Sequence, residues 1–460
     1  MQLYERIAAN SRLVYIDAAT GRQYCAAEWR GSLGLEDARG LALLYIDNAV
    51  TSVEVLLNFL DSRFTIALLS PALHAEYKQQ LEAIYRPCYI YDPSRDRVAG
   101  YAEVQANAQV RLFRSASPAG YTIHPSIRLL LSTSGTTGSP RFVKLSEENL
   151  VQNALSILGY LPVNGADVTP LNLPLYYSYG LSVFTTNSIA GGQVVCGNRD
   201  VLQPAFWEDL QRYGFTSLAG VPYVYEMLHR IGFCKREYPS LRYLTQAGGK
   251  LSAVLARTFG EYAAAHGKDF FIMYGQTEAT ARMAYLPPAD LLRKAGSIGR
   301  PIPNGRFDID PATQELLYTG PNVGGGYAAC AADLAAFDNS QVLRTGDMAR
   351  QDEDGYYYIT GRLKRFVKLF GARVNLDEVE QILKQAFSGQ TFACAGVDDR
   401  YLLVLHREDT PDSTAVKQLL SRQLGLHPRA FVVKQVDGFL FTPNGKMDYQ
   451  GMIRTQAASV

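Results

Sequence analysis

The feature that most restricts this fold is a repeated exchange between short apolar runs and longer segments whose apolar residues recur at helical spacing. "LALLYID" (41–47) reads as a strand, "SVEVLLNFLD" (52–61) as a helix, and "FTIALLS" (64–70) as a second strand. The exchange returns at "FTSLAG" (215–220) with "VPYVYEMLHR" (221–230), and at "LRYLTQ" (241–246) with "LSAVLARTFGEYAAA" (251–265). A chain that switches period in this way predicts an α/β fold, a mostly parallel sheet flanked by helices on both faces. In such sheets ligands bind outside the carboxyl ends of the strands. With 460 residues the chain exceeds one ordinary core, so more than one structural unit is expected.

Composition narrows the class. Hydrophobic residues make up 47% and charged residues 19%, as in an ordinary globular domain. Lys plus Arg number 45 against 44 Asp plus Glu, a net charge of +1, which gives no electrostatic reason to expect nucleic acid as a partner. Six cysteines are scattered without a CxxC pair, a usage suited to a reducing compartment and not to a zinc site or disulfide framework. The start, "MQLYERIAANSRLVYID", carries charges where a signal peptide needs an apolar stretch, and no apolar run reaches the roughly 18 residues of a membrane span. A soluble, cytoplasmic chain with no membrane span is the expectation.

From Gly361 onward the texture changes. "GRLKRFVKLFG" is strongly basic, and "VNLDEVEQILKQAF", "FACAGVD", "YLLVLH", "TAVKQLLSRQL" and "FVVKQVD" follow in a shorter mixed pattern. This predicts a large domain over 1–361 and a small α+β domain over 362–460.

Chemistry concentrates first at "LLLSTSGTTGSPRFV" (129–143), where a strand-like run drives into Ser, Thr and Gly. Consecutive glycines and hydroxyl residues let backbone amides turn inward and add O–H donors, which suits phosphate oxygens. The Walker signature GxxxxGK[ST] is absent. Directly after it, Ser146 with Glu147 and Glu148 marks a helix start, with Leu150, Ala154 and Leu158 on one face.

The string "STSGTTGSPR" followed by "VKLSEENL" resembles the phosphate loop of the adenylate-forming, or AMP-binding, superfamily of acyl-CoA synthetases, aryl- and acyl-carrier-protein ligases and adenylation domains. Further segments resemble the superfamily's motifs in its own order: "LPLYYSYGLS" (173–182), "QAGGKLS" (246–252), "MYGQTEAT" (273–280), "GSIGRPIPN" (296–304), "YTGPNVGGGY" (318–327), "RTGDMARQDEDGYYYITGRLKRF" (344–366) and "TPNGKMD" (442–448). The resemblance implies a large ATP- and acid-binding domain followed by a small, mobile domain that carries a catalytic lysine. It implies carboxylate attack on the α-phosphate of ATP, which brings two anions together and needs donors and cations aimed at the phosphates.

By that resemblance Thr133, Ser134, Gly135, Thr136, Thr137 and Gly138 form the phosphate cradle, Gly248 and Gly249 turn beside adenine, and Tyr274, Gly275 and Gln276 complete the nucleotide site. Glu278 with Thr136 is the implied Mg²⁺ set, a hard carboxylate for a hard cation. Thr277 and Glu278 join Lys446 as the implied catalytic residues. Asp347 is the implied ribose acceptor with Arg362 beside it, Lys364 stands at the hinge near 362–365, and Lys368 matches a second lysine used by some members. Where the family usually has Lys after the loop proline, this chain has Arg141, which keeps the charge and changes its geometry.

The implied acid pocket includes Tyr177, Tyr179, Tyr223 and Phe184, an apolar wall with hydroxyl handles that suits an aryl acid or a fatty acid. Tyr177 stands where many acyl-CoA synthetases have His. "YYSYGLS" has no acidic residue to hold an ammonium, which argues against an α-amino acid. The implied acceptor is a phosphopantetheine thiol, of CoA or of an acyl carrier protein. Two other readings stand beside it: a non-catalytic nucleotide-binding or sensor protein on the same scaffold, and an adenylating enzyme with a non-thiol acceptor.

Overall fold

The structure, a computed structural model, describes residues 2–107, 109–117, 120–132, 141–363, 365–370, 372–387, 390–407, 412–441 and 447–457. Contacts divide the chain into two units, one of Met1–Arg306 with Tyr318–Leu343 and one of Phe307–Leu317 with Arg344–Val460.

The first unit is organised by three sheets. The largest orders Tyr327–Ala328, Phe142–Leu145, Leu129–Ser132, Thr65–Leu69, Leu41–Tyr45, Tyr89–Tyr91, Arg111–Ser115 and Tyr101–Gln105. Its four central strands, Leu129–Ser132 through Tyr89–Tyr91, pair in parallel, and the outer strands are antiparallel. Leu41–Tyr45 and Thr65–Leu69 are buried at every position, which is why both read as unbroken apolar runs and not as alternating ones. The helix between them, Val50–Asp61, buries Val53, Leu56, Leu57 and Leu60 in the same core.

A second sheet orders Ser217–Gly220, Tyr243–Gln246, Asp269–Tyr274, Ala284–Leu286 and Arg300–Pro301, with the first three strands parallel. A third orders Val168–Pro170, Gln193–Cys196, Val14–Asp17 and Gln23–Tyr24. The helix Glu147–Leu158 begins where the sequence placed it. Ser146 Oγ accepts from Asn149 N at 3.1 Å and Asn149 Oδ1 accepts from Ser146 N at 2.9 Å, a reciprocal cap that pairs two otherwise orphaned amides.

Most residues of the sheet Arg306–Ile309, Glu315–Thr319, Val342–Gln351 and Tyr357–Arg362 belong to the second unit, together with a hairpin of Phe366–Leu369 with Ala372–Asn375 and the sheet Phe392–Val397, Tyr401–His406 and Phe431–Gln435. The grouping thus takes in residues upstream of Gly361, because Arg344 pairs with Asp310 at 3.0 Å and Thr345 Oγ1 donates to Leu316 O at 2.7 Å. Its helices are Leu376–Ala386, Ser413–Leu424 and Tyr449–Ala457. Asn375 caps the first of these by accepting from Asp377 N and Glu378 N. Arg365 ties the unit together. It pairs with Asp377 and Glu380, donates to Cys394 O at 2.9 Å, and lies 3.7 Å from the centre of the Tyr449 ring. Among the described residues no helix is long and apolar enough to cross a membrane.

Candidate functional site

In the first unit the site grows from the ends of the adjacent strands Tyr243–Gln246 and Asp269–Tyr274. After Tyr243–Gln246 the chain makes the "QAGG" turn. Gln246, fully buried, closes it by donating from Nε2 to Ala247 O at 3.1 Å and Gly249 O at 2.9 Å. Gly248 has φ +84, and a methyl there would meet Tyr177 Oη at 2.4 Å, so both the backbone conformation and the close approach of Tyr177 call for glycine.

After Asp269–Tyr274 the backbone doubles back so tightly that a Cβ on Gly275 would lie 1.7 Å from Ala281 O. A short turn, Thr277–Ala279, ends at Thr280 with φ 66, a rare conformation for a β-branched residue. Such a turn persists only if its surroundings hold it. Thr280 Oγ1 donates to Asn322 O at 2.7 Å, and Asn322 Nδ2 donates to Ala279 O at 2.8 Å and Arg282 O at 2.9 Å. Asn322 Oδ1 accepts from Tyr318 at 2.7 Å, and Asn149 Nδ2 grips Pro321 O and Val323 O on either side. The capping residue of one helix and a buried asparagine therefore fix the turn from a distant part of the chain.

The turn presents Tyr274, Gly275, Gln276, Thr277 and Glu278 as a partly exposed strip between buried Met273 and Ala279. Glu278 Oε1 accepts from the Tyr327 hydroxyl at 2.7 Å, and Glu278 O accepts from Gly324 N at 2.8 Å. Burial, and then the Glu278 charge, push the Tyr327 hydroxyl far above its ordinary pKa, while Arg141 draws it back. Thr277 Oγ1 lies 3.3 Å from Ser178 Oγ, and Gln276 Nε2 donates to Tyr274 Oη at 3.4 Å.

Beside this strip lies a cluster that includes Ile157, Leu161, Tyr177, Tyr179, Ala247 and Met273, with Tyr160 packed against it. Tyr177 caps the helix Ser178–Ala190, and burial raises its hydroxyl from 10.0 to about 12. Tyr179 Oη donates to Thr245 O at 2.9 Å. Tyr223, another expected pocket residue, is 37% exposed, and Phe184 packs on Tyr15 at 5.9 Å in a separate core. The sequence reading missed Arg282, which is buried in this cluster with its Cζ 4.0 Å from the centre of the Tyr179 ring. It also missed Asn322, which lies inside "YTGPNVGGGY" but owes its role to contacts across the chain.

In the second unit Asp347 is 2% exposed and accepts from Arg362 Nε at 2.8 Å, bringing these two expected residues together. Lys368 is exposed on the strand Phe366–Leu369, its amide donating to Asp398 at 2.8 Å. Thr133, Ser134, Gly135, Thr136, Thr137, Gly138, Lys364 and Lys446 lie outside the described residues. The flanks of the phosphate-loop segment are described: Leu129–Ser132 and Phe142–Leu145 are neighbouring antiparallel strands with Ser132 opposite Phe142.

The chain is similar to known proteins. An indoleacetate–CoA ligase of Aromatoleum aromaticum is 30% identical over 355 residues, 72% of this chain and 68% of that protein. A sulfoacetate–CoA ligase of Cupriavidus necator is 32% identical over 325 residues, 66% of this chain and 62% of that protein. The chain spans from 52% to 68% of the first curated relatives it matches. The o-succinylbenzoate–CoA synthetase of Bacillus subtilis, solved with its acyl-adenylate intermediate, superposes with a TM-score of 0.74 at 19% identity, covering 98% of both chains, and the same synthetase is also solved with ATP and magnesium ion. The family model for AMP-binding enzymes matches residues 41–328, more than half of the sequence, and the chain belongs to that family.

Proposed function

We propose that the protein activates a carboxylic acid with ATP, the carboxylate attacking the α-phosphorus to give an acyl-adenylate and expel pyrophosphate, and then transfers the acyl group to a thiol with release of AMP. The observation that carries this reading is the braced turn at 275–278, which offers Glu278 as a positioned, partly exposed carboxylate at the end of a buried strand. Mg²⁺ keeps several waters and is commonly held by one or two carboxylates together with substrate phosphates, so a single carboxylate of this kind fits it. Glu278, with Thr136 as second ligand, would hold the ion, which would supply charge neutralisation at the substrate phosphates. Buried Asp347, aligned by Arg362, fits the ribose hydroxyls as a charge-assisted acceptor. Thr133 to Gly138 would take the phosphates, Gly248, Gly249 and Tyr274 the adenine, and Tyr177 and Tyr179 a wall of the acid pocket.

CoA is the acceptor that the relatives' names favour. The phosphopantetheine of a carrier protein presents the same reactive arm. The relatives' acids differ widely, indoleacetate in one and sulfoacetate in another, so membership alone does not choose the acid. Six free cysteines and an ATP requirement fit a cytoplasmic site of action. Lys446 would neutralise charge during adenylation, and a hinge at Lys364 would let the small domain over 362–460 exchange that arrangement for one admitting the thiol.

Pyrophosphate exchange into ATP across a panel of acids tests the reading. Exchange should depend on the acid, and Lys446→Ala should lower it by about 10²–10³, while thioester formation from supplied adenylate survives. Wild-type exchange in that variant would remove Lys446 from the chemistry.

A further inference from the structure

The fold provides for its other well-buried guanidinium groups. Arg128 pairs with Glu147 and donates to the carbonyls of Phe59, Leu60 and Phe64. Arg365 has two carboxylates and a carbonyl, with only its Nε left without a partner among the described residues. Arg282 is treated differently. It is 2% exposed, its Nε and Nη1 have no hydrogen-bond partner, and among the described residues no carboxylate pairs with it.

Nor is Arg282 placed by accident of a loose loop. Its carbonyl is held from two sides, by Asn153 Nδ2 at 3.1 Å and Asn322 Nδ2 at 2.9 Å. A long arginine ordinarily lets its head reach water along an apolar stem. Here the head is held over the Tyr179 ring, and its charge reaches the hydroxyls of Tyr160 and Tyr177, drawing both down against the effect of burial. Among the described residues the Tyr160 hydroxyl has only the Met273 sulfur, at 3.2 Å, and Tyr177 makes no side-chain hydrogen bond. A cationic head with two unpaired donors and no carboxylate beside it among the described residues is costly unless an anion joins it.

We propose that Arg282 is a specificity-determining residue whose counter-charge is an oxyanion on the acid substrate, a carboxylate or sulfonate at the end remote from the reacting carboxyl. The inference rests on the proposed acid activation. The remote end is chosen for a physical reason. The reacting carboxylate loses its charge on becoming an acyl phosphate, so a buried cation fixed on it would favour the ground state over the transition state. A spectator anion keeps its charge through both half-reactions and can remain paired throughout. The substrate class is therefore a short or aryl acid with a second anionic group, and not a plain fatty acid.

The test compares acids matched in shape: glutarate with valerate, terephthalate with 4-methylbenzoate, and 3-sulfopropanoate with butanoate, in pyrophosphate exchange by wild type, Arg282→Met and Arg282→Lys. Within at least one pair wild type should favour the dianion in kcat/KM by about a hundredfold or more, and the pair that responds distinguishes carboxylate from sulfonate. Arg282→Met should abolish that ratio, and Arg282→Lys should keep part of it. Without acid, Arg282→Met should melt higher than wild type because an uncompensated charge has left the core. A wild-type preference for the monoanion in every pair, or a ratio that Arg282→Met leaves intact, overturns the proposal. If no acid supports exchange, acid activation itself fails, and melting decides Arg282 separately. A dianion that raises the melting temperature of wild type but not of Arg282→Met upholds it, and equal shifts overturn it.

Discussion

Gly248→Ala asks whether the glycine turn beside the pocket is required by its backbone, by the tyrosine facing it, or by both. The residue sits at φ +84, and a methyl would meet Tyr177 Oη at 2.4 Å, Val221 Cγ1 at 3.2 Å and Tyr177 Cζ at 3.6 Å. The left-handed conformation costs an L residue roughly 1–2 kcal/mol, and overpacking a buried site adds roughly 1–3 kcal/mol. The variant should therefore lose about 2–5 kcal/mol, which leaves a domain of ordinary stability folded. The two causes separate in a cycle with Tyr177→Phe. Removing the hydroxyl removes the 2.4 Å contact and leaves 3.2 Å and 3.6 Å as the nearest. In that background Gly248→Ala should cost only the backbone part, a coupling of roughly 1–3 kcal/mol. Gly249→Ala is the control, since its φ is not positive and its methyl would meet only the flexible edge of Pro222 at 3.1 Å. Denaturant titrations of the four cycle members give the coupling, and pyrophosphate exchange on the same samples shows whether the displaced Tyr177 also harms acid activation. Strict additivity would refute the reasoning, because the Tyr177 hydroxyl would then not be what excludes the methyl.

Asp347→Ala should leave the chain folded, since its partner Arg362 is 60% exposed in the side chain, yet weaken ATP binding by the roughly 1.5–3 kcal/mol of a charge-assisted hydrogen bond; unchanged ATP affinity by calorimetry would remove it from the nucleotide site. Lys364→Pro fixes φ near −65° at the proposed hinge, so exchange should stay near normal while thioester formation falls at least about tenfold; equal losses in the two half-reactions would count against a hinge there. Buried tyrosines set the alkaline limit. Burial raises Tyr177 from 10.0 to about 12 and raises Tyr179 and Tyr225 as well, so their contribution is fully present below pH 10 and is lost as pH rises through the folded values. Melting temperature should hold up to about pH 10 and fall above it, and a fall centred below pH 9 would point to other groups.

The local elements were legible because they are written in a few consecutive residues. Leu41–Tyr45, Val50–Asp61 and Thr65–Leu69 follow from periodicity, and the cap at Ser146 from three neighbours. The family was legible for a similar reason: phosphate-handling turns need particular glycines and hydroxyls at fixed offsets, so the order of motifs survives in the string. The basic run after Gly361 likewise shows a change of texture, a property of neighbouring residues.

What the string could not carry is pairing over distance. Strand order, the antiparallel outer strands of the large sheet, and the grouping of Arg344 with Asp310 and Glu315 depend on which segments meet. "YYSYGLS" places Tyr177, Tyr179 and Phe184 together in sequence, yet the helix Ser178–Ala190 sends Phe184 into a different core. Arg282 is the sharpest case. In sequence it is one more arginine after "YGQTEATA", and nothing nearby marks it as buried. Its meaning comes from Asn153, 129 positions away, and Asn322, 40 positions away, which hold its backbone so that the guanidinium lies in the aromatic cluster. Periodicity reports which face a residue takes, but whether a buried charge has a partner is a sum over all its neighbours in space, and only the tertiary structure supplies that sum.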